Sequence, residues 1–405
     1  MKKKLRGFLI VLFCAVFLLA FSSFAQQIEV SEEHQASVQY PTTSAKYRGV
    51  VAADVDNDGQ DEIIVDFGTK GLWVYDSGVW HKINNNNPSW MFSVLWGSTA
   101  DSELIADFGS SGLWTWNHTG YPGTWSKLNN GNASYAFAVD DDSDGKDEIH
   151  VDFDSLGLWR YDLDTTTWTK LSPNNPNLGW RGDTYLVGME EGYHDFGSDG
   201  LWRMYGTAKQ KVNPNSPSDD NTSAELGTGD AAEELVVDFA SAGLWVMDGS
   251  SHSWHQINTH DPFDVEPVKF VGSTDYELLV RFGSPAGLWY WNYSGYPGTW
   301  TKINNNSPSY DIGFCEPYDP NGNTEGNGDE EVAVDFGTLG LWQYDYSYGS
   351  WTKLNNNNPT FMVRADYYND GYKTTLIVDF GSLGLWFYDG RYNSWFKINN
   401  ASPDG

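Results

Sequence analysis

Two nine-residue segments carry carboxylates at a spacing that can wrap a cation. Asp54-Val55-Asp56-Asn57-Asp58-Gly59-Gln60-Asp61-Glu62 and Asp140-Asp141-Asp142-Ser143-Asp144-Gly145-Lys146-Asp147-Glu148 both read Asp-x-Asp-x-Asp-Gly-x-x-Glu. Side-chain oxygens at the first, third, fifth and ninth positions, with the backbone carbonyls of Gln60 and Lys146 at the seventh, make an all-oxygen shell; the glycine at the sixth permits the sharp turn. Hard oxygen ligands in a flexible loop favour Ca²⁺ over zinc or copper. Without an ion these carboxylates repel one another, and the alternative is a solvated acidic turn. A third segment sets Asn323, Glu325, Asn327, Gly328 and Glu331 in the same register, with amides replacing two carboxylates. Two or three Ca²⁺ sites are therefore expected. Around Asp366, Asp370 and Gly371 the pattern is poorest, since Tyr368 and Thr374 stand where ligands should be.

A second set of polar residues could recognise a ligand. Amide-rich loops contain Asn86, Asn306 and Asn357, and aromatic residues follow such loops at Trp90, Tyr135, Trp180 and Tyr310. Amides beside aromatic rings suit carbohydrate; the plainer reading makes the rings core residues and the amides turn caps. An Asp-Phe-Gly or closely related motif precedes each Gly-Leu-Trp, with Asp66, Asp107, Asp152, Asp195, Asp238, Asp335 and Asp379 in seven units and Arg281 in the other. No catalytic constellation is present: there is no His-Glu-x-x-His, no Gly-x-Ser-x-Gly elbow and no Cys-x-x-Cys-His. The expectation is a binding protein rather than an enzyme.

These residues sit on a repeat. Gly-Leu-Trp occurs eight times, with tryptophans at Trp73, Trp114, Trp159, Trp202, Trp245, Trp289, Trp342 and Trp386. Each unit of about 44 residues parses into four short strands separated by Asp/Asn/Gly turns. In the first unit these are Gly49 to Ala53 (A), Glu62 to Phe67 (B), Leu72 to Tyr75 (C) and Val79 to Ile83 (D). Strands B and C are nearly continuous apolar runs, as in sheets covered on both faces. Radially packed blades produce that pattern, so the expectation is an all-β β-propeller of eight four-stranded blades over 47–400, with a seven-bladed ring as the alternative. The B–C and D–A connections then share one face and the A–B loops lie on the other. The repeated tryptophan is expected to pack between blades. The fourth unit has the shortest A–B connection and lacks the strand-D tryptophan.

The ends set the expected location. Met1 to Arg6 is basic, Phe8 to Phe21 apolar, and Ser23-Phe24-Ala25 ends in small residues. This reads as a signal peptide over 1–25, followed by a polar leader over 26–46, with a short tail at 401–405. Removing 1–25 takes away four basic residues and no acidic one, moving the formal charge from −31 to −35. A secreted, strongly acidic chain repels nucleic acid and anionic lipid. Cleavage also leaves Cys315 without a disulfide partner.

The Asp-x-Asp-x-Asp-Gly-x-x-Glu loop, followed by Ile-Ile-Val, Phe-Gly and a glycine-aromatic strand, resembles the FG-GAP/VCBS repeats of integrin α-chains, bacterial secreted proteins and some fungal lectins. The resemblance covers nearly all of the chain after residue 25, but its specific part, the loop, matches only the first and third units. It implies a calcium-bearing propeller. The family's Gly-Ala-Pro segment is replaced here by Gly-Leu-Trp, and integrin propellers have seven blades. The combined expectation is a secreted, monomeric binding or adhesion module whose partner is a glycan or an extracellular protein, without membrane insertion.

Overall fold

A computed structural model describes residues 49–96, 102–186, 188–227, 232–270, 275–309, 312–315, 331–369 and 375–403. The signal and leader segments, Tyr310, and Asn323, Glu325 and Asn327 lie outside them. There are eight four-stranded antiparallel sheets, each built from strands consecutive in sequence. In blade 1 these are Val50–Ala53, Glu62–Asp66, Leu72–Asp76 and Val79–Asn84, within one residue of the sequence expectation. They close into one β-propeller, with strands A innermost.

Each signature residue has a separate reason to be there. The glycine takes a positive φ, 84° at Gly71, and a Cβ there would stand 2.3 Å from the Asn84 carbonyl oxygen. The leucine is fully buried, as at Leu72 and Leu288. A bulge falls between leucine and tryptophan, and Trp73 pairs in register with Lys82 of strand D. The tryptophan indole then donates to a carbonyl three residues back, Trp73 to Lys70 at 3.1 Å and Trp289 to Ala286 at 2.8 Å.

Adjacent blades are fastened by a second tryptophan, on strand D. Its ring packs on the neighbouring blade and its indole donates to a strand-D carbonyl there: Trp125 to Ile83 at 3.0 Å, Trp168 to Leu128 at 3.3 Å, Trp300 to Ile257 at 2.9 Å and Trp351 to Ile303 at 3.2 Å. Blade 1 meets blade 8 by the same rule, with Trp80 donating to Ile398 at 3.0 Å. Val50, Ile63, Val65 and Phe67 share one apolar cluster with Phe361, Ile377, Leu385 and Phe387. Among the described residues the ring thus closes through side chains and loops, and every blade is made of four strands consecutive in sequence.

The A–B loops carry a further fastening. A backbone N–H in one loop donates to a carbonyl in the loop of the preceding blade: Ser102 to Asp54, Asp147 to Leu95, Glu190 to Asp140, Glu233 to Asp183 and Tyr276 to Glu225, and Asp61 to Asp366 across the closure, all between 2.7 and 3.1 Å. Asp61 and Asp147 belong to this belt; their carboxylates accept from Asp366 N and Leu95 N, both at 2.7 Å.

Candidate functional site

The face that carries the B–C turns and D–A loops is organised around the repeated aspartate. Asp66, Asp107, Asp152, Asp195, Asp238 and Asp335 each accept the backbone N–H two residues on, at 2.7 to 3.0 Å, and a short 3-10 turn follows. The same carboxylates take donors from the loops that enter and leave the blade. Asn177 and Ser216 reach Asp195 at 2.8 and 2.9 Å, and the Asn87 amide nitrogen reaches Asp66 at 2.5 and 2.7 Å. Burial pushes several of them up, Asp152 and Asp238 to about 7. The first residue of each D–A loop caps its own turn: Asn84, Asn304 and Asn355 accept from the N–H of Asn86, Asn306 and Asn357 at 2.9 to 3.0 Å. The repeated aspartates and Asn84, Asn304 and Asn355 are therefore scaffold. Replacing Asp107 with Ala strands the N–H groups of Gly109 and Ala133 and the Ser89 hydroxyl, and thermal unfolding should report a loss of about 1–3 kcal/mol.

Blade 6 inverts this node. Arg281 donates to the Phe263 carbonyl at 2.8 Å and the Pro308 carbonyl at 3.4 Å, so the incoming and outgoing loops are held by a donor instead of an acceptor. No 3-10 turn forms there; Ser284-Pro285 takes its place.

Trp90, Tyr135 and Trp180 lie on strands A and are buried, Trp180 to 2% exposure. Trp90 and Trp180 belong to apolar clusters between blades, and Tyr135 hydrogen-bonds the buried His194. Their packing leaves no ring face open to a sugar, so a stacking role at these three positions is replaced by a core role. Asn86, Asn306 and Asn357 are exposed.

The aromatic groups that reach this surface include the signature tryptophans, each partly buried, and Phe263, 60% exposed on the loop that enters blade 6. Lysine lies over one ring face: Lys82 over Trp73, Lys127 over Trp114, Lys302 over Trp289 and Lys353 over Trp342, at 5.1 to 5.6 Å from the centroid. The sequence predicts packing for these tryptophans; the lysine that recurs in register on strand D is the signal of their surface placement. Between blades 5 and 6 a cleft of about 490 Å³ opens beside Trp289, with Phe282, Trp300, Gln256, Asn258 and His260 on its walls.

On the opposite face the two Asp-x-Asp-x-Asp-Gly loops adopt one backbone, with Asn57 and Ser143 at φ 60° and 62° and Gly59 and Gly145 at 87° and 85°. Asp54 accepts from Gly59 N at 2.9 Å, and Asp140 from Gly145 N at 3.0 Å. In blade 1 ligand atoms of Asp54, Asp56 and Asp58 lie within 4.8 Å of one another. Burial, reinforced by neighbouring aspartates, pushes Asp54 up to about 6, and one of its buried oxygens has no hydrogen-bond partner. This donor set fits a hard cation.

The ninth-position glutamates also fasten their loops. Glu62 and Glu148 accept the N–H of Val55 and Asp141 at 3.0 and 3.1 Å, each through one carboxylate oxygen. Glu191, Glu234 and Glu277 make the same bond to Thr184, Leu226 and Phe270 in blades without the aspartate pattern. In blade 1 ligand atoms of Glu62 group with those of Asp56 and Asp76, and in blade 3 those of Glu148 group with Asp140 and Asp142, each set within 4.8 Å; burial beside the aspartates pushes Glu62 up to about 9. Blade 3 supplies a cation of its own. Arg160 lies 3.0 Å from both Asp142 and Glu148 and 2.6 Å from Asp141. Its blade 1 counterpart is Val74. The two loops, equivalent as sequence, differ in how much charge they leave uncompensated. Glu331 begins strand B of blade 7.

No family model matches the sequence, and no curated protein does. Solved structures do. The chain is similar to the Dos1 propeller, at 12% identity and TM-score 0.51 over 88% of this chain and 94% of that one. It is similar to Sqt1 of Saccharomyces cerevisiae, at 10% identity and TM-score 0.50 over 74% and 83%. An Agrocybe aegerita lectin, described as recognising non-reducing terminal N-acetylglucosamine, aligns at 13% identity and TM-score 0.48 over 80% and 95%. At these identities the likeness is one of fold.

Proposed function

We propose that this protein is a secreted, calcium-stabilised β-propeller that binds carbohydrate. The observation that carries the reading is the ring of partly exposed tryptophans on the B–C/D–A face, each beside an amide loop. An indole presents a flat apolar face to the C–H groups of a pyranose, while neighbouring amides donate to and accept from its hydroxyls. Asp54, Asp56 and Asp58 would hold the first Ca²⁺, and Asp140, Asp142 and Glu148 a second, on the opposite face. The ion would supply charge compensation to the loops, and the saccharide would bind away from it.

A second reading, protein adhesion, is favoured by one feature of the same face. Leu156, Leu339 and Leu383 stand 58%, 47% and 44% exposed on the 3-10 turns of blades 3, 7 and 8, and apolar side chains repeated on a surface suit a protein partner. A broad glycan array with the protein in Ca²⁺ separates the two. Signals on glycans that share one neutral unit are expected; silence across the array would sink the carbohydrate reading and leave adhesion.

A further inference from the structure

Carbohydrate binding, if the tryptophan ring carried it alone, would be eightfold. The blades are not equal, and the cleft of about 490 Å³ lies where the repeat departs most from its own rule. On strand D, seven blades put a lysine in register with the signature tryptophan; blade 5 puts Gln256 opposite Trp245. Three residues after the glutamine's neighbour Ile257, the loop carries His260 where blades 1, 6 and 7 have asparagine. The facing wall is blade 6, whose B–C turn is the one rebuilt around Arg281 and Ser284-Pro285.

We infer that this inter-blade cleft is a single binding site for one neutral pyranose unit. The inference rests on the carbohydrate reading and narrows it to one place and one charge class. Phe282 stands between His260 and Trp300, with ring centroids 6.1 and 5.4 Å away, and Trp289 completes an aromatic floor. Lys302 covers one face of Trp289. The polar groups above the floor are held in place. Asn258 accepts from both the backbone N–H and the ring Nδ1 of His260 at 3.0 Å, which fixes the imidazole and leaves the Asn258 amide nitrogen as a donor. The Gln256 amide nitrogen donates to the Ala242 carbonyl at 2.8 Å, which leaves its oxygen as an acceptor. The described lining residues include no carboxylate and no ammonium, in a chain whose formal charge is −31. Fixed amides over an aromatic floor match hydroxyls on a neutral ring, and a cleft of this size accommodates one to two such rings.

The test is isothermal titration of the full-length protein with glucose, galactose, mannose, N-acetylhexosamines and their oligomers. Three variants accompany it: Trp289→Ala, the double variant Gln256→Lys/His260→Asn, and Val79→Thr at an exposed strand-D position of blade 1. The double variant installs residues that other blades carry at these positions, so it is expected to fold; melting temperatures check this. Expected are one site per chain, binding weakened by roughly tenfold or more in Trp289→Ala and in the double variant, and binding unchanged in Val79→Thr. Several equivalent sites, a preference for an acidic sugar, or binding that survives the double variant would overturn the single neutral site and leave the carbohydrate reading standing. No binding by any of these saccharides would overturn both.

Discussion

Replacing Trp80 with Ala should destabilise the protein by about 3 kcal/mol, the lower end of the range for deleting a large ring because Trp80 is partly buried, and should open the ring at one seam. Trp80 packs against Phe67 and Tyr75 at centroid distances of 5.4 and 5.0 Å and donates to Ile398 of the last blade. Each of the other seven interfaces joins blades connected directly by a loop, so a weakened contact there is re-formed at high effective concentration. The seam between blades 1 and 8 has no such connection, and no strand is shared across it among the described residues. Its fastenings include the Trp80 indole, the apolar cluster, the Asp61–Asp366 pair and the stacked Tyr75 and Tyr367 rings. The variant should therefore show early exposure of blades 1 and 8 to hydrogen exchange, ahead of global unfolding. Trp125→Ala, the same substitution at the seam between blades 1 and 2, should cost less. Equal costs and uniform exchange would mean that closure does not depend on this contact.

Chelation should lower the melting temperature, and blade 1 should account for most of the loss. A cation that binds only the folded protein stabilises it by about 2.7 kcal/mol at a free concentration of 100 times its dissociation constant. Asp56→Ala should abolish most of the difference between Ca²⁺ and EDTA. Asp142→Ala should remove less, because Arg160 already neutralises part of the blade 3 loop. The pH dependence follows from the same charges. Asp54 and Glu62 are raised above their unfolded values, so without metal the folded state binds more protons than the unfolded chain between the ordinary carboxylate range and about 6 for Asp54, and about 9 for Glu62. Stability then falls as pH rises through that window. With the ion bound the carboxylates are ionised and compensated. The gap between Ca²⁺ and EDTA melting temperatures should widen from about pH 5 to about pH 8, and Glu62→Gln should raise the melting temperature of the metal-free protein at the upper end. A constant gap would mean that these groups do not face the ion.

The fold was legible because a repeat converts weak local signals into a strong periodic one. Eight Gly-Leu-Trp signatures and two-sided burial of strands B and C led directly to eight blades, and the strand limits of blade 1 fall within one residue. The aspartate and asparagine sets were legible as a shared face, because blade topology alone puts the B–C and D–A connections together. What the sequence did not reveal lies in contacts between blades. Strand period says that Trp90, Tyr135 and Trp180 follow a loop; it does not say that a neighbouring sheet covers them. The Asp-x-Asp-x-Asp-Gly-x-x-Glu spacing places Glu62 and Glu148 near the aspartates, where the structure also groups them, and only comparison with Glu191, Glu234 and Glu277 in space shows that they share a loop fastening with blades that lack the pattern. Arg160 sits outside the loop in sequence, so its place among Asp141, Asp142 and Glu148 was invisible. The cleft beside Trp289 needs residues from two blades and could be seen only once the blades were assembled.

The most direct test of the account is a crystal structure of the protein grown in Ca²⁺ and soaked with the saccharide that the array selects. A pyranose ring is expected against Trp289 between blades 5 and 6, hydrogen-bonded to Asn258 and Gln256, with a cation among Asp54, Asp56 and Asp58 on the opposite face. A saccharide seated on the A–B face or in the central channel, with the Trp289 cleft empty, would contradict it.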